Sequence, residues 1–251
     1  MPEIKNRPPF SVKKPIAVVL SMQEAEWQNL TTISNNISNT FNPGYKATKL
    51  KFKEMIYKTK DGERISYVNI NGVTKDFTDG SIKQTSNPLD VALTGDGFFG
   101  VMTKKGLQYT RNGQFTVDNN GQLIMSCNGL PVANDGGGQV SIPPTVKNVA
   151  ITNSGDLMFD GIPSGKLGVF SFKDNQALKA EGDSLFSSRA EAAPAKDYKV
   201  TQYALEESNV STIKETLRMM ESLRNYESAQ KVINQHEELL KRTMEASARN
   251  A

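Results

Sequence analysis

The chain has 251 residues, 37% of them hydrophobic, with a mean hydropathy of -0.48; that is low for a protein built round one large core and fits an extended or layered one. The 30 basic and 27 acidic residues leave a formal charge of +3, too weak a field to point to nucleic acid. A single cysteine, Cys127, excludes an internal disulfide and a thiolate metal site, and a single histidine, His236, excludes a catalytic triad or a multi-histidine centre.

Residues 1–14 are charged and rich in proline, and are expected to be a disordered extension. The apolar run Ile16 to Leu20 is too short for a secretory signal, and nothing approaches the ~20 apolar residues of a membrane-spanning helix. The chain is therefore expected to stay in the cytoplasm or to leave it by a route that reads no cleavable signal.

Residues 15–60 read as a helix and its linker. From Pro15 to about Asn39, Leu20, Trp27, Leu30, Ile33 and Ile37 recur at steps of three, four or seven, on one stripe. Asn35, Asn36 and Asn39 flank that stripe. They fit either a fraying helix end or an interface whose amides bond to neighbouring backbone. Asn42-Pro43-Gly44 ends the helix by removing a donor and permitting positive φ. The basic residues from Lys46 to Lys53 and Lys58 to Lys60, interleaved with Phe52 and Tyr57 but mixed with Glu54 and Asp61, read as a solvated face.

Residues 61–203 read as an all-β domain rich in hairpins. Short alternating runs ("SYVNI", "QYTRNGQFTV", "QLIMS", "VAITN", "KLGVFSF") are separated by the turn pairs Asp79-Gly80, Asn120-Gly121, Asn128-Gly129, Ser154-Gly155 and Asp160-Gly161. Within this region "GDGFFG", Gly95 to Gly100, spells the G-x-G-x-x-G of dinucleotide-binding folds. A phosphate site of that kind needs a helix to begin at the glycines, and here a strand-like run, Val101 to Lys105, follows instead. The expectation is a tight turn between antiparallel strands, with Phe98 and Phe99 on opposite faces and no cofactor.

Residues 204–251 read as a long C-terminal helix. Thr212 and Glu215 have capping-box spacing. Ile213, Leu217, Met220, Leu223, Tyr226, Ala229, Ile233, His236, Leu240 and Met244 then recur at threes and fours, a mean step near that of a coiled-coil seam. The helix is longer than the first, so part of its apolar surface is expected to meet other chains. The fold class is mixed: a central β domain, and a coiled-coil-like helical domain made by the two terminal helices.

Three stretches also resemble one family. "SNNISNTFNPGYKA" is similar to the N-terminal motif of the flagellar rod and hook proteins. "TDGSIKQTSNPLDVALTGDGFFGV" with "YTRNGQFTVDNNGQL" resembles their central motif, and "LEESNVSTIKETLRMMESLRNYESAQKVI" their C-terminal one. The opening "PIAVVLSMQ" resembles the F-type, proximal-rod branch; a distal-rod or hook-type subunit, or a secreted β-rich adhesin or tail-like protein, is the alternative.

The resemblance implies a non-enzymatic subunit of the basal-body rod in the periplasm, exported without a cleaved signal and polymerising into a helical tube that transmits torque. It implies partners among other rod proteins, copies of the chain itself and the flagellar export apparatus, with no nucleic acid and no small-molecule substrate. Subunit contacts are expected at Leu30, Ile33, Asn35, Asn36, Ile37, Asn39, Leu217, Met220, Leu223, Ile233 and Leu240. The motif positions of the β domain are Pro88, Leu89, Asp90, Gly95, Gly97, Phe98, Phe99, Arg111, Gly113, Phe115 and Gly121.

Overall fold

The computed structural model describes residues 13–58 and 64–249. The extension expected over residues 1–14 falls almost wholly outside them, as do Lys60 and Asp61. The chain divides into two compact units: residues up to 37, 48–74 and from 212 on form one, and residues 38–47 with 75–211 form the other.

The first unit holds both helices, α1 (Lys13–Ser38) and α2 (Thr212–Arg249), and a two-stranded sheet of β1 (Thr48–Lys58) and β2 (Arg64–Lys75). The helices pack side by side, as the sequence predicts. They run antiparallel, because rising numbers on α1 meet falling numbers on α2: Gln23 bonds Gln230, Glu26 bonds Asn225, Asn29 bonds Ser222 and Asn36 bonds Glu215. Beyond that paired stretch, Lys241 to Arg249 are all exposed. Residues 48–58 and 64–75, which the sequence divides between a linker and the β domain, form this sheet.

The stripe on α2 is not the one its spacing suggests. Four consecutive steps of three carry the apolar series from Leu217 to Ala229, and each such step falls about 60° short of a full turn. The series therefore winds round the helix. Its two ends lie on different faces: Ala229 and Ile233 are buried, whereas Ile213, Leu217, Met220 and Leu223 are exposed. The buried positions Glu215, Ser222 and Ala229 recur every seven residues, and two of the three are polar.

The second unit is all β apart from one short 3-10 turn at Asn175–Ala177. β3 (Ile82–Gln84) pairs with Ala204–Glu206, and β4 (Val91–Gly95) pairs with Tyr198–Gln202. β5 (Phe98–Thr103) and β6 (Gly106–Thr110) form the centre of a six-stranded antiparallel sheet. The expected turn Gly95-Asp96-Gly97 is present, with φ +89° at Gly95, but β4 and β5 join different sheets and do not form a hairpin. Asp160-Gly161 does close one: both residues have positive φ, 51° and 86°, the geometry whose twist matches paired strands.

Phe98 and Phe99 do fill opposite faces, and each enters a separate core. Phe99 is fully buried with Val91, Leu93, Val101 and Phe115, its ring 5.3 Å from that of Phe115. Phe98 packs with Tyr109, Phe170, Leu178 and Phe186, edge-on to Phe77 at 5.7 Å. Since each ring anchors its own core, Phe98→Ala and Phe99→Ala are both expected to cost about 3–5 kcal/mol in chemical denaturation. A neutral result for either would mean that its core is dispensable.

Candidate functional site

The family-like motifs converge on one buried ionic cluster in the second unit. Lys46 is wholly enclosed, and its ammonium donates to Glu206 Oε1 at 2.6 Å and to the Thr78 carbonyl at 2.7 Å. Arg111 closes the other side: Nη1 reaches Glu206 Oε2 and Asp79 Oδ1, both at 3.4 Å, and the Leu93 carbonyl at 3.2 Å. Its Nη2 donates to the Gly95 carbonyl at 2.5 Å, and the guanidinium lies 5.2 Å from the centre of the Phe98 ring. Glu206 Oε1 also accepts from Gly80 N at 3.0 Å. The buried Arg111 Nε has no partner, but otherwise two cations face two carboxylates, and backbone carbonyls accept from both. That arrangement is what an ion removed from water requires.

Burial pulls the Lys46 ammonium below the usual lysine range; Glu206 opposes that shift, and the nearby Arg111 adds to it. Lys46 is therefore a correction to the solvated basic face read from Lys46 to Lys53. Lys49, Lys51 and Lys53 are exposed, and only the first lysine of the run turns inward.

Backbone geometry requires the small residues around the cluster. Gly44 sits at φ +67° with its N–H on the Glu206 carbonyl at 2.7 Å, and a Cβ there would lie 2.3 Å from the Arg111 carbonyl carbon. Asn209 completes the knot. Its Oδ1 accepts from Ala47 N at 2.8 Å, and its Nδ2 donates to the Asp76 carbonyl at 2.8 Å and to Thr78 at 3.1 Å. Residues 44–47, 76–80, 93–95, 111 and 206–209 are so joined.

The other motif positions of the β domain are structural in the same sense. The Pro88 carbonyl accepts from Gln202, Leu89 packs on the larger core, and the buried Asp90 accepts from Asn87. The Gly113 carbonyl accepts from Val91 N, Phe115 is buried, and the Gly121 carbonyl accepts from Ile142 N at 2.6 Å. A Cβ at Gly97 would meet Val169 at 2.7 Å. Asp118 lies in a hairpin loop, where its carboxylate accepts from the backbone of Asn120 and Gln122. Among the described residues no cluster of histidine, cysteine and carboxylate side chains could hold a metal.

The helical unit holds all the residues expected at subunit contacts but Asn39, which belongs to the second unit, and they fall into two sets. Ile33, Asn36 and Ile233 are buried within the chain, with Leu30, Ile37, Asn39 and Leu240 half-buried. Asn36 grips Thr48 like a strand partner: Oδ1 accepts from its N–H and Nδ2 donates to its carbonyl, both at 2.9 Å. Glu215, placed by its spacing in a capping box, puts its carboxylate on Arg218 at 3.0 Å and Asn36 at 3.3 Å. Ser222 accepts from Asn29 and donates to Glu26. Leu217, Met220, Leu223 and Asn35 are exposed.

Sequence reasoning missed Lys46, Glu206 and Asn209 as a set. Lys46 and Glu206 stand 160 positions apart, and the only signal that links them is that each lies inside a family-like motif.

Comparison with known proteins agrees with this geometry. Residues 92–159 match the family model described as the flagellar hook protein FlgE/F/G D1 domain, and residues 201–246 match the flagellar basal body rod FlgEFG protein C-terminal model. The chain is 33% identical to the flagellar basal-body rod protein FlgF of Caulobacter vibrioides over 91% of this chain and 95% of that one. It is 29% identical to FlgF of Mesorhizobium japonicum, covering 87% and 91% of the two chains. It is also 29% identical to the rod protein FlgG of Agrobacterium fabrum, covering 89% and 95%.

Removing Glu206, the buried anion of the cluster, leaves two enclosed cations with only the partly exposed Asp79 to balance them. Glu206→Ala is expected to destabilise the second unit by about 3–5 kcal/mol in urea denaturation. A loss below about 1 kcal/mol would show that the charges need no mutual balance.

Proposed function

This chain belongs to the family of flagellar hook and basal-body rod proteins, and on that premise we propose that it is a structural subunit of the rod, of the proximal, F-type kind. The observation that carries the reading is a fold made wholly of scaffolding: a buried ionic knot, two β cores and a long helical pair with apolar residues left on its outer face. Assembly with other rod and hook proteins follows from the family. The finer parts of the proposal are polymerisation with copies of itself into a helical, torque-bearing tube in the periplasm, and delivery by the flagellar export apparatus without a cleaved signal.

The proposal gives the two sets of helical residues different work. Ile33, Asn36 and Ile233, with the half-buried Leu30, Ile37 and Leu240, hold the pair of helices within one subunit. Leu217, Met220 and Leu223, with Ile213 beside them, make the contact between subunits, and Asn35 lies on the solvent side of α1 where a neighbour can reach it. An exposed apolar face on a long helix is a liability in a lone subunit and an asset in a polymer. Contacts that repeat head to tail without closing build a helical filament.

The two sets predict two phenotypes. Leu217→Asp or Met220→Asp should leave the isolated chain folded, with an unchanged thermal transition, and abolish rod assembly and motility. Ile233→Asp should instead destabilise the isolated helical pair, because it places an unpaired charge in a desolvated seam. Normal rods from both Leu217→Asp and Met220→Asp would overturn the assignment of the outer face to assembly. Absence of the wild-type chain from purified basal bodies would overturn the rod reading itself.

A further inference from the structure

The helical unit carries a second unmatched pair of surfaces. In β1 every residue from Lys51 to Lys58 is exposed, and the odd-numbered face carries Lys51 and Lys53, then Met55 and Tyr57. The sheet is strongly basic. Lys49, Lys51, Lys53, Lys58, Arg64 and Lys75 face a single acid, Glu54, over its two strands. A two-stranded sheet alone is marginally stable, and an open strand that bears apolar side chains is a template for another chain.

The same unit holds the opposite chemistry. From Pro15 to Ser38 the only acidic or basic side chains are Glu24 and Glu26; Glu26 is taken up by Ser222 and Asn225, and Glu24 accepts from the neighbouring Gln28 at 2.9 Å. Glu24 lines a groove with Leu20, Ser21, Gln23, Trp27 and Tyr226. Leu20 and Trp27 are 49% and 58% exposed there, and the Trp27 and Tyr226 rings lie 6.1 Å apart. The groove thus has an aromatic floor and an acidic rim, and the open face of β1 has an apolar end and a basic end.

We propose that β1 of one copy seats in the α1 groove of a second copy, with Met55 and Tyr57 against Leu20, Trp27 and Tyr226, and Lys51 and Lys53 toward Glu24. Within one chain α1 holds the start of β1 through Asn36 on Thr48 and meets β2 through Val68 N on Ser21 Oγ at 3.3 Å, while Lys51 to Lys58 stay exposed and are left to another subunit. Each copy carries both halves, so the contact is heterologous and repeats without closing. The inference rests on the self-assembling rod reading and adds to it a second surface, separate from the outer face of α2.

Charge reversal in trans tests it. In cells lacking their own copy, Glu24→Lys alone, or Lys51→Glu/Lys53→Glu alone, should lower the yield of rods at least tenfold. The two variants expressed together should restore it to within twofold, because each basic strand then meets an acidic groove on the other variant. A contact inside one chain, or with a different protein, gives no such rescue. Loss without rescue, or no loss from either variant, overturns the proposal. Either result leaves the rod reading intact as long as the wild-type chain is present in basal bodies.

A cross-linking arm needs no charge change. In a Cys127→Ser background, copies with Tyr57→Cys mixed with copies with Trp27→Cys should give disulfide-linked dimers on mild oxidation of assembled rods. Dimers no more abundant in the mixture than in either variant alone would overturn the contact.

Discussion

The second unit depends on the ionic contact between Lys46 and Glu206. Both side chains are enclosed, and an enclosed ion costs several kcal/mol unless its partners are close and complete. Here they are close: Glu206 receives Lys46, Arg111 and Gly80, and Lys46 and Arg111 donate also to the Thr78, Leu93 and Gly95 carbonyls, with the Arg111 Nε left unbonded. The cluster thereby fixes five separate backbone segments at the distances that those bonds allow. An apolar core of equal volume would hold the same segments together with far less say over which atom meets which.

That cluster also marks the limit of what the sequence could tell. The turn at Asp160-Gly161 was legible because two adjacent residues with positive φ leave a local signature. The separate burial of Phe98 and Phe99 was legible because alternation in a strand is a local fact. A lysine that turns inward has no local signature: Lys46 begins a run of four basic residues whose other members are exposed, and its partner lies 160 residues away. The α2 stripe was misleading for a different reason. Steps of three and four average near the coiled-coil period, yet the order of the steps decides which face they reach, and the four threes after Leu217 move the stripe round the helix.

The helix pair shows what the polar residues contribute. Ser222 receives an amide and gives its own proton to Glu26, while Asn36 is committed to Thr48 and Glu215. A buried polar group left unmade costs about 1–3 kcal/mol. A slip of one turn between α1 and α2 would orphan several such groups at once. Leucine in those positions would bind more strongly and discriminate less, since a leucine stripe meets its partner almost as well one turn along. The seam within the chain is therefore specified by hydrogen bonds rather than by apolar area.

The outer surfaces follow the reverse logic. Leu217 and Met220 on α2, and Met55 and Tyr57 on β1, are apolar groups on which no register is written. Under the proposed assembly, the subunit enters the rod with its internal register already set by polar pairs, and only surfaces tolerant of small displacements remain to be matched. A tube that must be stiff in torsion and still accept neighbours with related but different sequences needs that division. Directional bonds inside each subunit resist shear, and apolar contact between subunits supplies adhesion over a range of fits. Lys51 and Lys53 opposite Glu24 would then add what apolar contact lacks, a preference for one partner over another.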